Sequence, residues 1–220
     1  MPLRCAFLGR VPYAEGVVLQ ERLVESRRRG EAVDTLVLLT HPPVITLGRG
    51  ADPRHVVIAD DVRRASGIER YETGRGGDVT FHGPGQLVGY PILALREDRR
   101  DAHRYLRDLE EGLIRIAASF GVAASRVPGL TGIWVGRAKL GAIGVRIGAG
   151  WVTSHGFALN VGSDLSGFDA IVPCGIADRS VTSLSRLLGK ELAPEEIAAK
   201  AGAHMAEALG YEAVWDEKAA

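Results

Sequence analysis

Two cysteines occur in the sequence, and they stand in unlike settings. Cys174 lies in the segment IVPCGI, between a proline that has no N–H and a glycine that bares the backbone. A turn that presents a thiol beside free backbone N–H groups can supply a nucleophile and a site for an oxyanion. The alternative is a buried structural cysteine that behaves as a small apolar residue. For Cys5, in the apolar segment CAFL, we predict that structural role.

A lysine stands among small and apolar neighbours in the segment AKLGAIG, where it occupies position 139. On an alternating strand Lys139 could be a side chain that faces solvent. If it points inward, desolvation lowers the pKa of its amine from about 10.4 toward neutrality, which makes it a base. The sequence leaves both orientations open. It also leaves open whether Lys139 lies within hydrogen-bond reach of Cys174, which sharing a proton would require.

Two histidines, His82 and His155, each end a strand-like run and each precede a glycine. Together with Cys174 they could form a metal site, but no H-x-x-x-H or C-x-x-C pair is present to begin one. We therefore expect no metal, and we expect these histidines to hydrogen-bond a loop or a ligand. His41, which precedes two prolines, favours a structural role.

The densest glycine segment runs from Thr73 to Ile92 and reads TGRGGDVTFHGPGQLVGYPI. Glycine allows the backbone to approach a ligand closely because it adopts positive φ without steric cost. The segment matches neither G-x-x-x-x-G-K-[ST] nor a complete G-x-G-x-x-G that opens a helix, and it leads into a strand. A phosphate cradle at a helix N-terminus is therefore poorly supported.

The periodicity of apolar residues supplies the elements that must position these residues. We predict helices over 13–29, 60–66, 101–120 and 192–209, and strands over 35–39, 44–47, 79–82, 86–95, 132–135, 139–147 and 151–161. Glycine-containing loops at 136–137 and 148–150 are hairpin signals, and Pro91 indicates an edge or a strand end. This pattern predicts an α+β fold in which helices flank a mixed, largely antiparallel sheet.

Length and charge exclude several classes of protein. The 220 residues fit a single domain over 1–220, and 27 basic residues balance 27 acidic ones. We therefore expect no general attraction to nucleic acid or to a membrane. No signal peptide and no apolar run of about 18 residues is evident, so we expect a soluble cytoplasmic protein without a structural disulfide.

A series of segments, in a fixed order and covering most of the chain, is more specific than any one position. It comprises HPPVITLGR from His41, RGGDVTFHGPGQLVGYPI from Arg75, GIWVGRAKLGAIGVR from Gly132, SHGFALNV from Ser154, IVPCGI from Ile171 and VTSL from Val181. In these segments the sequence resembles the lipoyl (octanoyl) transferases, also called lipoate-protein ligase B. The fold shared with lipoate and biotin protein ligases is a mixed sheet platform with packed helices, which agrees with the α+β prediction.

The resemblance implies transfer of an octanoyl or lipoyl group from acyl carrier protein to one lysine of a lipoyl domain. The acceptors are the 2-oxo acid dehydrogenase complexes and the glycine cleavage H protein. The family's PCG cysteine, which forms an acyl thioester, falls on Cys174, and the lysine that tunes it falls on Lys139. The family's substrate contacts fall on Arg75, Gly76, Gly77, Asp78, Val79, Thr80, Phe81, His82, Ala142, Ile143, Gly144, Gly156, Phe157 and Ala158.

Several further expectations follow from this resemblance. Because the donor is already a thioester, we expect no ATP and no other cofactor. Val79, Phe81 and Leu87 are candidates for the wall of the acyl pocket, and amides near Ile143–Gly144 or Gly175 are candidates for holding the thioester oxygen. We also expect a monomer. Two alternatives stay open: an ATP-dependent lipoate or biotin-type ligase on the same fold, and a non-catalytic module that binds an acyl group or a lipoyl domain.

Overall fold

A computed structural model describes residues 1–172 and 179–216. The larger sheet has nine strands in the order β12-β1-β2-β6-β10-β9-β8-β7, with β11 beside β9, and a smaller sheet has the order β4-β3-β5. The strands are β1 (Pro2–Arg10), β2 (Thr35–Thr40), β3 (Val44–Leu47), β4 (Glu69–Glu72), β5 (Val79–His82), β6 (Gln86–Ile92), β7 (Ser125–Val127), β8 (Leu130–Val135), β9 (Ala138–Ile147), β10 (Thr153–Asn160), β11 (Ser180–Val181) and β12 (Glu212–Trp215).

The helices are α1 (Tyr13–Arg28), α2 (Asp60–Ala65), α3 (Ala102–Ala118), α4 (Leu184–Leu188) and α5 (Pro194–Leu209). Helix α3 begins where the Asp101 side chain accepts hydrogen bonds from two backbone N–H groups of the first turn. Its apolar stripe buries Leu109, Leu113 and Ile116 completely, and Gly121 follows its end at a φ of 79°. The predicted helices are therefore present with their ends moved by at most two residues.

The core has two layers because helices cover both faces of the large sheet. Helices α3 and α5 pack on one face, where Leu36, Leu38 and Leu87 meet the helical stripes. Helix α1 covers the opposite face, over Val88 and Tyr90. A third cluster joins the small sheet to the chain near residue 170. Among the described residues, none of the helices has the length and apolar character needed to cross a membrane.

Strand directions confirm the predicted mixed sheet. The pairs from β2 through β6, β10, β9 and β8 to β7 are antiparallel, whereas β1 pairs in parallel with β2 and with β12. Both predicted hairpins, β8–β9 and β9–β10, are present. The α+β class predicted from the sequence is therefore confirmed.

Pro91 was predicted to mark a sheet edge or a strand end: the edge is wrong, because β6 lies between β2 and β10, whereas the strand end agrees with the end of β6 at Ile92. Pro91 pairs with Leu36 of β2, while regular pairing with β10 ends at Gly89 opposite Phe157. On β10, His155 has a positive φ of 55°, although pairing with β9 continues in register through this residue. Pro91 is tolerated in this central strand because β10 does not pair with β6 at Pro91 and so accepts no backbone N–H hydrogen bond there.

Candidate active site

A narrow inner cavity brings together the three predicted substrate segments. It has a volume of about 60 Å³ and lies between the glycine segment and strands β6, β9 and β10. Of the predicted substrate contacts, the structure places Arg75, Gly77, Asp78, Val79, Thr80, His82, Ala142, Ile143, Gly144, Gly156, Phe157 and Ala158 at this cavity, and Lys139 joins them. Segments separated by some 60 residues in sequence therefore share one wall.

Two glycines allow the elements around the cavity to approach each other. The N–H of Gly76 donates to the carbonyl of Val145 at 2.9 Å, which fastens the glycine segment to β9. A Cβ at Gly144 would lie 3.0 Å from the Gly76 carbonyl oxygen, and one at Gly156 would lie 2.1 Å from the Gly89 carbonyl oxygen. Backbone therefore excludes a side chain at Gly156, and one at Gly144 would require the Gly76 carbonyl to shift.

Lys139 points inward, because only 8% of its surface is exposed and it lines the inner cavity. The cause is a β-bulge: Ile133 pairs with Gly141 but Trp134 pairs with Lys139, so one extra residue of β9 is inserted. A bulge re-aims a side chain away from simple alternation. Strand β11 then covers this end of β9, since Thr182 donates its N–H to the Lys139 carbonyl at 2.9 Å.

The Trp134 ring lies beneath two cations. Nζ of Lys139 is 5.2 Å from the ring centroid, and the guanidinium carbon of Arg179 is 5.1 Å from it. Trp134 itself is buried. Cation–π contacts of this kind favour a fixed position for both cations. Arg179 is the first described residue after 173–178.

A buried arginine anchors the glycine segment from below. Arg75 is 7% exposed, and its guanidinium donates to the Thr46 carbonyl at 2.6 Å and to the Thr46 hydroxyl at 2.9 Å. A third bond, of 3.1 Å, reaches the Gly76 carbonyl. Arg75 therefore shapes the backbone of the segment in addition to lining the cavity.

His82 is a neutral imidazole in the cavity wall. Its Nδ1 lies 2.6 Å from Oε1 of Gln86, and the Gln86 amide nitrogen donates to Oδ1 of Asn160 at 2.9 Å. Since Oε1 can only accept, this pattern assigns the proton to Nδ1 of His82. Burial, reinforced by the nearby His41, lowers the pKa of His82 to about 3. Nε2 of His82 is therefore a hydrogen-bond acceptor at neutral pH.

Two tyrosines that the sequence analysis did not single out, Tyr13 and Tyr90, line the inner cavity beside His82, and His41 packs against both. Nε2 of His41 lies 2.7 Å from the Tyr90 hydroxyl and Nδ1 lies 2.6 Å from the Val11 carbonyl, so the ring donates from Nδ1 and accepts at Nε2. Burial lowers the pKa of His41. The ring of Tyr13 stacks on His82 with a centroid distance of 6.3 Å. The structural role predicted for His41 agrees with these bonds.

An outer groove of about 570 Å³ adjoins the inner cavity, and Tyr13 and His155 belong to both. The groove runs between α1 and the β9–β10 hairpin, with Arg146 on its rim. The backbone N–H of His155 donates to the Gln20 side chain at 2.7 Å. Burial, followed by the positive charges of Arg75 and Arg146, lowers the pKa of His155 to about 4.

Four of the predicted site residues do not offer a free side chain to the inner cavity. The Asp78 carboxylate accepts from the backbone N–H of Asp52 at 3.0 Å and lies 2.6 Å from Nδ1 of His55. Phe81 packs on Phe168, with a centroid distance of 5.8 Å, and not on the inner cavity. Leu87 faces the layer of α3 and α5, and Gly76 contributes backbone bonds. Val88 and Tyr90, on the opposite face of β6, take the place predicted for Leu87 and Phe81.

The structure tests the prediction for one of the two cysteines. Cys174 and Gly175 lie outside the described residues. Cys5 is fully buried in the main core, and burial raises the pKa of its thiol to about 11, which agrees with its predicted structural role. Within residues 1–172 and 179–216, no group of three or more His, Cys, Asp and Glu side chains is arranged to hold a metal ion.

This arrangement can bind and act on an elongated, mainly apolar group. Lys139 supplies an amine or ammonium at one end of the cavity, and small residues of β9 and β10 leave room along its floor. The neutral imidazole of His82 supplies an acceptor in the cavity wall. A cavity with apolar walls and a few convergent polar groups is typical of a small-molecule or acyl-group site.

Comparison with known proteins gives a consistent result. The model of the lipoyl protein ligase A/B catalytic domain matches residues 12–206. The chain is 55% identical over 185 residues to an octanoyltransferase of Rubrobacter xylanophilus, which covers 84% of this chain and 83% of the relative. It is 49% identical over 205 residues to an octanoyltransferase of Solibacter usitatus, which covers 93% of this chain and 92% of the relative.

Solved structures share the fold at low sequence identity. A bipartite lipoate protein ligase of Thermoplasma acidophilum superposes with a TM-score of 0.73 at 18% identity, over 100% of this chain and 89% of that one. A biotin protein ligase of Aquifex aeolicus superposes with a TM-score of 0.55 at 13% identity, over 96% of this chain and 70% of that one. These likenesses confirm the predicted sheet platform with packed helices.

Proposed function

Because the chain belongs to the lipoyl protein ligase A/B catalytic domain family, we propose that it is an octanoyltransferase of protein lipoylation. The donor is an octanoyl thioester on acyl carrier protein, and the acceptor is a lysine of a lipoyl domain or of the glycine cleavage H protein. One single-domain monomer in the cytoplasm carries out the reaction. The observation that carries this proposal is the buried Lys139 at the inner cavity, beside the three glycine-containing segments.

In the first step, the Cys174 thiol passes its proton to neutral Lys139 and the thiolate attacks the thioester carbonyl carbon. A bond forms between Sγ and that carbon, and the bond to the carrier sulfur breaks. The carrier thiolate takes the proton from the Lys139 ammonium and leaves as a thiol. An unperturbed cysteine, with a pKa near 8.5, is only a few per cent thiolate at neutral pH, so a base beside it raises the reactive fraction.

In the second step, the acceptor lysine attacks the acyl-cysteine and an amide forms. The acceptor amine must first lose a proton, which costs roughly 4–5 kcal/mol at pH 7 for a pKa of about 10.4. That first proton goes to solvent. As the neutral amine attacks and the bond from the acyl carbon to Sγ breaks, Lys139, again neutral, takes a second proton from the attacking nitrogen and returns it to the departing Cys174 thiolate. One residue thus serves both steps, and the thioester provides the free energy for the amide.

The inner cavity holds the acyl chain in this proposal. Val79, Val88, Ala142 and Ala158 supply apolar contacts at the cavity. Of the predicted amide donors to the thioester oxygen, we keep Gly175, which follows the nucleophile directly in the sequence. Support comes from the position of Arg179, which stacks on the same indole ring as Lys139. Arg179, five residues after Cys174 in the sequence, thus lies at the Lys139 end of the cavity.

Intact-mass measurement after mixing with octanoyl-acyl carrier protein tests this function. We expect one added octanoyl group, lost in Cys174→Ala and kept in Cys5→Ala, whose cysteine is buried in the core. A lipoyl domain added next should remove the group and become octanoylated without ATP. Full turnover by Cys174→Ala would overturn the covalent mechanism, and a requirement for ATP with adenylate formation would favour a ligase instead.

A further inference from the structure

A carboxylate beneath the active site is fully buried. Glu110 lies on α3, and its side chain has 0% exposure. One oxygen, Oε2, pairs with Arg107 at 2.7 Å and with Arg126 at 3.1 Å. The other, Oε1, accepts a hydrogen bond of 3.0 Å from the backbone N–H of Gly132. A buried charge is costly unless it is paired in this way. We therefore looked for what the Glu110 carboxylate holds in place.

Gly132 is the link between that carboxylate and β9. Its φ is 112°, a conformation that favours glycine. A Cβ at this position would lie 2.4 Å from the Gly141 carbonyl oxygen and 3.0 Å from Cε of Lys139. The side-chain arm of Lys139 therefore lies against the bare α-carbon of Gly132, in space that any other residue would occupy.

Helix α3 fixes the far end of this connection. Leu109 and Leu113, which flank Glu110 on the helix, are fully buried in the main core. The carboxylate is thus held by a rigid element, and it holds the Gly132 N–H in turn. Groups placed on rigid elements keep a reacting side chain in position better than loops do.

We propose that Glu110 is a positioning residue for Lys139 and acts through the backbone of Gly132. The inference rests on the proposed function, because Lys139 matters only if it moves protons during transfer. Loss of the Glu110–Gly132 hydrogen bond lets β8 shift at Gly132. The Lys139 side chain, which lies against Gly132, then moves away from the thioester. A misplacement of about 1 Å costs roughly 100-fold in rate.

Glu110→Ala and Glu110→Gln separate the hydrogen bond from the charge, since the glutamine carbonyl still accepts from Gly132. Leu109→Ala, next to it on α3, is the matched control for loss of core stability. We expect kcat to fall about 100-fold in Glu110→Ala at unchanged KM for the acyl carrier, and less than about fivefold in Glu110→Gln. Leu109→Ala should retain its activity below its melting temperature. Should Glu110→Ala not fold, Glu110→Asp, shorter by one methylene, replaces it with the same readouts.

Combining Glu110→Ala with Lys139→Ala distinguishes a positioning role from a purely structural one. If Glu110 acts through Lys139, Glu110→Ala adds no further loss in the Lys139→Ala background. An equal additional loss, or activity of Glu110→Ala matching that of Leu109→Ala, would overturn the proposal.

Amine labelling tests the same placement without transfer activity. The labelling rate of Lys139, measured by mass spectrometry against exposed Lys190, should rise about tenfold or more in Glu110→Ala and stay unchanged in Leu109→Ala. An unchanged Lys139 rate would contradict the positioning role. If the wild-type protein transfers no octanoyl group while Glu110→Ala still raises the labelling rate of Lys139, the proposed function is wrong and the positioning role stands.

Discussion

Nζ of Lys139 lies 5.2 Å from the centroid of the Trp134 ring, and both side chains are buried. A desolvated cation over an indole face gains about 2 kcal/mol, against about 0.5–1 kcal/mol at an exposed site. The contact holds Nζ at the end of the inner cavity and favours the ammonium, the form that returns a proton to a leaving thiolate in the proposed mechanism. Position and proton-transfer capacity can therefore be tested separately at this residue.

Lys139→Arg separates them because arginine keeps a cation over the ring but does not give up its proton. General acid–base catalysis contributes about 10²–10⁴-fold, so we expect Lys139→Arg and Lys139→Ala to lose transfer by similar factors in that range. Turnover of octanoyl-acyl carrier protein with a lipoyl domain measures the loss, and circular dichroism checks the fold. If Lys139→Arg transfers at the wild-type rate, Lys139 acts by charge alone and the shared-proton scheme is wrong.

Stability should fall in mild acid because buried histidines are held neutral. The pKa of His82 is lowered to about 3 by burial, whereas an unfolded histidine titrates near 6.5. Between these values the unfolded chain binds more protons, so the free energy of unfolding decreases as the pH falls. From pH 7.5 to 5.0 the loss for His82 alone is about 2 kcal/mol. Urea denaturation at both pH values measures it.

His82→Asn isolates this contribution because its amide can donate to Gln86 as Nδ1 does but does not titrate. We expect the pH-dependent loss in this variant to be about 2 kcal/mol smaller than in the wild type. His103→Asn, at an exposed position on α3, is the matched control and should keep the full loss. Equal pH dependence in wild type and His82→Asn would show that His82 is not held neutral in the fold.

Much of the fold follows from local patterns in the sequence. The stripe of Leu109, Leu113 and Ile116 repeats with the helical period and has a good cap, so α3 was predictable to within two residues. Strands β1 and β12, at the far side of the sheet, were not assigned. Each is stabilised by pairing in parallel across more than 200 residues of sequence, Pro2 with Glu212, which no local pattern reveals.

The sequence indicated those parts of the cavity wall in which glycines allow two backbone segments to approach each other closely. The three segments that the resemblance assigns to substrate contact, around Gly77, Gly144 and Gly156, line one cavity, and their contact with substrate stays a prediction. Tyr13 and Tyr90 were missed because an aromatic residue on a helix or in an apolar strand looks like core in the sequence. The orientation of Lys139 depends on a bulge opposite Trp134, which simple alternation along β9 does not reveal. The role of Cys174 stays a prediction.

Gly156 should tolerate no side chain. A Cβ there would lie 2.1 Å from the backbone oxygen of Gly89, which cannot rotate away. We expect Gly156→Ala to separate β6 from β10 and to lower the free energy of unfolding by about 1–3 kcal/mol or more. Gly148→Ala is the matched control in the neighbouring loop, since its Cβ would lie 3.6 Å from the Val152 oxygen. Equal unfolding midpoints in urea for the two variants would refute the steric constraint at Gly156.

The length of the transferred chain should be set near Ala142. An octanoyl group has seven C–C bonds and extends about 9 Å at roughly 1.2 Å a bond, taken from the reach of extended backbone. Three residues of β9 span about 10 Å, so a chain laid along β9 with its carbonyl beside Lys139 ends beside Ala142. Ala142 pairs with Ala158, and both line the inner cavity. Two small side chains thus leave the space that the end of the chain needs.

Ala142→Phe should therefore discriminate by chain length. We expect kcat/KM for octanoyl-acyl carrier protein to fall about 30-fold or more, because a phenyl ring that overlaps the acyl chain costs about 2 kcal/mol or more. The shorter butanoyl group does not reach Ala142 and should be transferred within about threefold of the wild-type rate. Ala149→Phe, exposed at the outer groove, is the matched control and should alter neither rate. Equal losses for both acyl groups in Ala142→Phe would place the end of the chain elsewhere.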